Sequence, residues 1–253
     1  MCASHTSIMS VKICTLSSQK TLCYIRKRLK QECQTVVFTP NTEMLLSARK
    51  DFALTSLLNS STLNIPDGIG VRIAARLQGK PRLARSSGID TAQKILEVAA
   101  QENYRIFLLG GKSGVARRAA KMLKLCYPAL KICGTHHGYF NKSGEDNLRI
   151  IRKINSSHPD ILFVCFGFPL QENWICENIS KIPSVKLAIG LGGTLDVWSG
   201  NIRRAPKIIR NLGFEWLWRV ALEPRRAKIF IDIPQFLWAV RAETRKSKAR
   251  TAR

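Results

Sequence analysis

Six short stretches of this chain, residues 35–38, 63–65, 105–109, 131–134, 160–166 and 185–191, are close to uninterrupted apolar runs. None alternates polar with apolar residues, so none suits a strand with one wet face. Between them, residues 42–49, 54–58, 69–77, 91–101, 115–126 and 145–155 read as helices, several with apolar residues three and four apart. Continuous apolar strands separated by helices predict an α/β fold, a doubly wound parallel sheet covered on both faces. With 253 residues the chain can bury one large domain, or one domain with an appendage. After residue 198 the alternation stops, and residues 199–240 read as that appendage.

Ligands of such folds bind where the strands end. The distinctive residues fall there: Thr39, Asn41, Asp67, and the segments 110–114, 167–171 and 192–196. Asp67 is pinned between Pro66, whose φ is fixed, and Gly68, which tolerates conformations closed to other residues. Such a carboxylate either caps the helix after it or serves as a site residue. The turn Gly110-Gly111-Lys112-Ser113-Gly114 either presents backbone donors to a diphosphate or is only a tight turn. Arg85 either neutralises a leaving phosphate or solubilises the surface. Gln171 and Glu172 open a helix after Pro169, where one of them can cap, and Trp174 suits the core. Asp90 is expected to cap the helix from residue 91.

Charge narrows the partners. The chain carries 41 Lys and Arg against 17 Asp and Glu, a formal net charge of +24. That field favours nucleic acid, an anionic membrane face or diphosphates. Fourteen basic and only four acidic residues lie from residue 203 onward. There Trp216, Trp218, Phe230, Phe236 and Trp238 alternate with Arg219, Arg225, Arg226 and Lys228. Such a segment either lies in a membrane interface or packs its aromatics on the sheet. Nucleic acid would explain the charge equally well, yet no recognised nucleic-acid motif accompanies it.

The eight cysteines contain no CxxC pair and suit free thiols of a reducing compartment. His136 and His137 are adjacent, point to opposite faces of a strand and do not readily share a metal. No apolar run reaches bilayer length and the N-terminus lacks a secretory apolar core, so a cytoplasmic protein with peripheral membrane contact is expected. Residues 1–20 carry little signal and are expected to be partly disordered; residues 21–34 suit an amphipathic helix.

Taken together, the motifs are recognisable. TPNTEM at 39–44, PDGIG at 66–70, Arg85 with Gly88-Ile89-Asp90, FLLGG at 107–111, HGYF at 137–140, GFPLQENW at 167–174, GGTLDVWSGNIRRAP at 192–206 and GFEWLWR…EPRR at 213–226 stand in this order. Over about residues 35–230 the chain resembles the WecG/TagA/CpsF glycosyltransferase family. The resemblance implies a Rossmann-like core at 35–198 after a variable segment at 1–34. A basic, aromatic, helical appendage at 199–240 would dock on the membrane, followed by a basic tail at 241–253. It implies inverting transfer of an N-acetylmannosamine-type sugar from a UDP donor to polyprenyl-diphosphate-linked N-acetylglucosamine, without metal or other cofactor. UDP-glucose or UDP-N-acetylmannosaminuronic acid is the alternative donor. The product would enter teichoic acid, common antigen or exopolysaccharide.

Carried over residue by residue, Asp67 resembles the general base, and a semi-buried carboxylate gains the basicity that role needs. Thr39 and Asn41 would contact the donor near the reacting sugar, and Arg85 would offset charge on the leaving UDP. Gln171 would line the same pocket, Gly110 and Gly111 the phosphates, and Asp196 the ribose or uracil. Arg219, Arg225 and Arg226 would reach the lipid diphosphate at an anionic membrane surface. Docking there is expected to couple to a monomer–oligomer change, and no nucleic-acid partner is expected. The chain departs from the family in three places: no clear opening strand precedes residue 35, only Lys228 follows EPRR where the family has a further arginine, and the tail is unusually basic.

Overall fold

Strands that are apolar on both sides leave no face for water, so helices must close the sheet above and below. The computed structural model, which describes residues 4–84, 87–224 and 227–251 with side chains to residue 245, has that arrangement. Strands β1 (His5–Ile8) and β2 (Val11–Cys14) form an antiparallel hairpin. The main sheet holds β3 (Thr35–Phe38), β4 (Leu63–Asn64), β5 (Arg105–Gly110), β6 (Lys131–His136), β7 (Ile161–Cys165) and β8 (Leu187–Gly190). All six are parallel, in the order β4-β3-β8-β7-β5-β6. Every residue of β7 and β8 is buried, which is why their sequences show no alternation.

One face of the sheet is covered by α2 (Thr42–Lys50), α3 (Phe52–Asn59), α4 (Ile69–Leu77), α7 (Gly144–Ser157), α8 (Leu170–Asn178) and the C-terminal α12 (Ile229–Thr251). The other face is covered by α1 (Ser18–Lys30), α5 (Gly88–Gln101), α6 (Val115–Cys126) and α9 (Thr194–Trp198). Two short helices remain, α10 (Lys207–Leu212) and α11 (Glu215–Leu222), and neither buries a residue. Among the described residues no helix is long and apolar enough to cross a membrane.

Three expectations are revised or resolved. Residues 5–14 are ordered as the β1–β2 hairpin, and Ile8, Val11 and Ile13 lie wholly inside the core beneath α2, α3 and α4. Its turn at Met9 and Ser10 has φ of 49° and 64° without a glycine, so the usual hairpin signal is missing. Next, α5 starts at Gly88, not after Asp90: Ser87 is the N-cap, accepting from Asp90 N at 3.1 Å and donating to Asp90 Oδ2 at 2.7 Å. The Ser-x-x-acid pattern is a capping box, in which the acid sits one turn inside the helix. Last, the aromatic segment divides between its two readings. Phe236 is fully buried against α2 and α4, whereas Trp238 is 71% exposed.

A candidate active site at the carboxyl edge of the sheet

Backbone pairing brings three neighbouring strand ends together. The Asp67 amide, just beyond β4, donates to Pro40 O just beyond β3, at 2.9 Å. Thr39 Oγ1 donates to Gly190 O at the end of β8, at 3.2 Å. Asn41 caps α2 by accepting from Met44 N at 3.0 Å. Asp67 itself is not a cap, because Gly68 holds that position on α4 and no side chain bonds the helix end. Instead Asp67 Oδ1 accepts from Gly88 N at 3.3 Å, across the chain. Glycine at 88 permits this closure, since a Cβ would lie 3.1 to 3.3 Å from the Thr39 side chain.

Over these strand ends stand α10, α11 and the start of α12. The enclosed cavity has a volume of about 750 Å³. Thr39, Asn41 and Asp67 line its sheet side, and Arg204, Glu215 and Arg219 its helical side. Removal of water raises Asp67 from the ordinary carboxylate value of 3.8 to about 6. The Arg219 charge pulls it down, Glu215 pushes it up, the Gly88 amide lowers it and Asp90 raises it. Glu215 and Arg219, one turn apart on α11, therefore act on Asp67 in opposite senses.

Asp90 rests under two arginines of the appendage. Arg204 Nη2 donates to Asp90 Oδ1 at 2.6 Å, and Arg210 Nη1 lies 3.5 Å from the same oxygen. Burial would raise Asp90, but hydrogen bonds from Ser87 and Arg204 and the two guanidinium charges hold it below the usual carboxylate range.

Gln171, Gly110, Gly111 and Asp196 lie further along the same edge and do not line this cavity. Gln171 is buried at the start of α8, its Oε1 accepting from Gly192 N at 2.9 Å and its Nε2 donating to Glu172 Oε1 at 2.8 Å. A Cβ at Gly193, the next residue of that turn, would lie 3.2 Å from Arg219 Nη2, so the turn and the cavity wall touch. Gly110 and Gly111 pack on Cys165, with Gly111 N donating to Cys165 O at 3.2 Å. Burial pushes the Cys165 thiol up to about 12, and the nearby Asp196 charge adds to the rise. Gly110 and Gly111 thus meet Cys165 directly, and Asp196 acts on its thiol by charge. Arg85, Arg225 and Arg226 lie outside the described residues.

Sequence reasoning missed Arg204 and Glu215 as parts of the site. Arg204 stands in a quoted motif, but its meaning depends on Asp90, 114 positions away. His136 and His137 are occupied locally: His136 Nδ1 is 2.9 Å from His137 O, and His137 Nδ1 accepts from Tyr139 N at 3.2 Å. Among the described residues no group of three His, Cys, Asp or Glu side chains is placed to hold a metal ion.

A parallel α/β sheet whose strand ends bring a carboxylate of raised pKa into a cavity lined by arginines suits group transfer on an anionic substrate. The profile described as the glycosyl transferase WecG/TagA/CpsF family matches residues 6–250, and the chain belongs to that family. It is 35% identical over 226 residues to the N-acetylglucosaminyldiphosphoundecaprenol N-acetyl-beta-D-mannosaminyltransferase of Bacillus subtilis (strain 168), covering 89% of this chain and 86% of the relative. The protein of the same description from Bacillus spizizenii (strain ATCC 23059 / NRRL B-14472 / W23) is 33% identical over 219 residues, 87% and 83% of the two chains. That from Staphylococcus aureus (strain MRSA252) is 32% identical over 212 residues, 84% and 82%.

Proposed function

We propose that this protein transfers an N-acetylmannosamine-type sugar from a UDP donor to N-acetylglucosamine carried on a polyprenyl diphosphate, with inversion at the anomeric carbon. The relatives' names supply the transferred sugar and the acceptor. The observation that carries the reading is the Asp67 carboxylate, raised to about 6 at the sheet side of a cavity walled by arginines. At neutral pH such a group is ionised yet basic enough to take a proton from a sugar hydroxyl.

In this scheme Asp67 removes the acceptor hydroxyl proton as that oxygen bonds to the anomeric carbon. The bond from that carbon to UDP breaks, and its electron pair leaves on the diphosphate. Attack opposite the leaving group inverts the centre. Thr39 and Asn41 orient the donor sugar, and Arg85 neutralises the leaving diphosphate, so that no metal is required. Gly110, Gly111, Gln171 and Asp196 hold the nucleotide end, while Arg219, Arg225 and Arg226 hold the acceptor's diphosphate.

The appendage suits a membrane-borne acceptor. Ile208, Leu212, Phe214, Leu217, Phe230 and Ile231 are 43 to 73% exposed beside its basic residues. Apolar side chains in an interface and basic ones over anionic headgroups hold a peripheral protein at the bilayer, each charge contributing about 1 kcal/mol. We place the working protein on the cytoplasmic face of the cell membrane. The test is UDP release from UDP-N-acetylmannosamine with a short-chain lipid-diphosphate N-acetylglucosamine, in EDTA. Turnover that disappears in Asp67→Ala supports the reaction class and the base together. Full turnover in that variant overturns the role of Asp67, and neither turnover nor UDP binding by the wild type overturns the reading as a whole.

A further inference from the structure

The helical wall of the cavity has an unusual attachment. Neither α10 nor α11 fully buries a residue, so apolar packing over Asp67 is limited to contacts such as Trp216 with Phe230 and Gly213 with Ile69. Among the described residues the polar contacts that tie these helices to the sheet domain centre on one side chain, Arg204, with help from Arg210. Arg204 Nη1 donates to Gln93 Oε1 at 3.1 Å and Nη2 to Asp90 Oδ1 at 2.6 Å and Ser87 Oγ at 3.3 Å, all on or capping α5. Its Nε donates to Glu215 Oε1 at 3.4 Å, at the start of α11. The Arg204 side chain is only 15% exposed. A planar guanidinium can serve these acceptors at once, which the single ammonium of lysine cannot.

Both ends of this bridge bear on Asp67. The α5 end begins with Gly88, whose amide donates to Asp67 Oδ1. The α11 end carries Arg219 one turn beyond Glu215, and that cation acts on the same carboxylate. We propose that Arg204 is a positioning residue: its guanidinium clasps α11 to the start of α5 and so holds Arg219 in register with Asp67. It touches no reacting atom in this role. The inference rests on the reaction proposed above only for its kinetic consequence.

The test uses the full chain with Arg204→Gln and the milder Arg204→Lys. Hydrogen exchange is followed by mass spectrometry, separately in residues 207–222 and in β5, β7 and β8. UDP release gives kcat and donor KM. The expected result is exchange at least tenfold faster in 207–222 with the strands unchanged. The kcat should fall about 10- to 100-fold, as a displacement near 1 Å can produce, with donor KM within about threefold. Lysine should recover part of both effects. Unchanged exchange in 207–222 overturns the clasp. Faster exchange with unchanged kcat overturns its positioning role. Faster exchange throughout the strands makes Arg204 a general stabiliser and also overturns it. If the wild type transfers no sugar, the reaction reading fails, while the exchange still decides whether the clasp exists.

Discussion

The two walls of the cavity are held in place by different physics. The sheet wall, carrying Thr39, Asn41 and Asp67, hangs on strand ends whose neighbours are wholly buried and whose backbones are paired. Moving it means breaking the core. The helical wall, carrying Glu215 and Arg219, rests on side-chain hydrogen bonds and ion pairs and turns apolar residues outward. With little apolar burial beneath it and only partly buried ion pairs to hold it, this wall costs less to displace than the sheet side. The contrast teaches a division of labour: the base sits on the core, while its cover is held by polar contacts that rearrange at lower cost.

The strongest way to sharpen this contrast is to remove the base without disturbing its wall. Asp67→Asn should lower UDP release by about 10²- to 10⁴-fold, the usual range for a general base. In the wild type, kcat/KM should fall about tenfold per pH unit below about 6, where Asp67 becomes protonated and useless as a base. Stability should move the opposite way. Because the folded value lies above the ordinary 3.8, ionising Asp67 costs the folded state free energy as pH rises from about 4 to 6. Asp67→Asn should therefore be more stable than wild type by about 1–3 kcal/mol at pH 8 and equal to it near pH 3, measured by urea unfolding. Equal stability at both pH values would contradict the desolvation argument.

The next effect tests where the fixed part ends. Phe236 and Trp238 are two residues apart on α12, one fully buried and the other 71% exposed. Phe236→Ala should cost about 3–5 kcal/mol of stability, the loss expected for a core aromatic. Trp238→Ala should change stability by less than about 0.5 kcal/mol but weaken sedimentation with anionic vesicles. If both variants lose stability equally, the outer side of α12 belongs to the core, and the contrast between walls fails along this helix.

What could be read from the sequence follows the same division. The six main strands and the helices between them were legible because double-sided burial writes itself as uninterrupted apolar runs. The β1–β2 hairpin was not, because its outward residues His5, Ser7 and Lys12 break the run and its turn lacks glycine. At the site, Thr39, Asn41 and Asp67 could be placed at strand ends from local sequence alone. Ser87 as the cap of α5 was hidden because the acid of a capping box looks like a cap itself. Arg204 and Glu215 acquire meaning only when residues more than 100 positions apart meet, which no local pattern reports.

The smallest kinetic effect concerns Glu172, next to Gln171 on the fixed side. Its carboxyl is completely buried, with Oε1 accepting from Gln171 Nε2 and no hydrogen bond to Oε2. Burial raises it from 4.5 to about 7, the bond from Gln171 opposing the rise. Below pH 4.5 the group is neutral in both folded and unfolded chains, so Glu172→Gln, which keeps the acceptor for Gln171, should leave stability nearly unchanged. Between pH 4.5 and 7 the unfolded chain ionises first, and the wild type loses stability that the variant keeps. The variant should thus gain about 2–4 kcal/mol as pH rises through that window, with no further gain above it. A constant difference at all pH values would mean that Glu172 carries the same charge folded and unfolded. Kinetics of the same variant sharpen the contrast between the walls. Gln171 fixes the Gly192 amide, and Gly193 touches Arg219, so a sheet side held by its backbone predicts kcat within about twofold of wild type. A larger loss would mean that the sheet wall, like the helical one, depends on a single polar side chain.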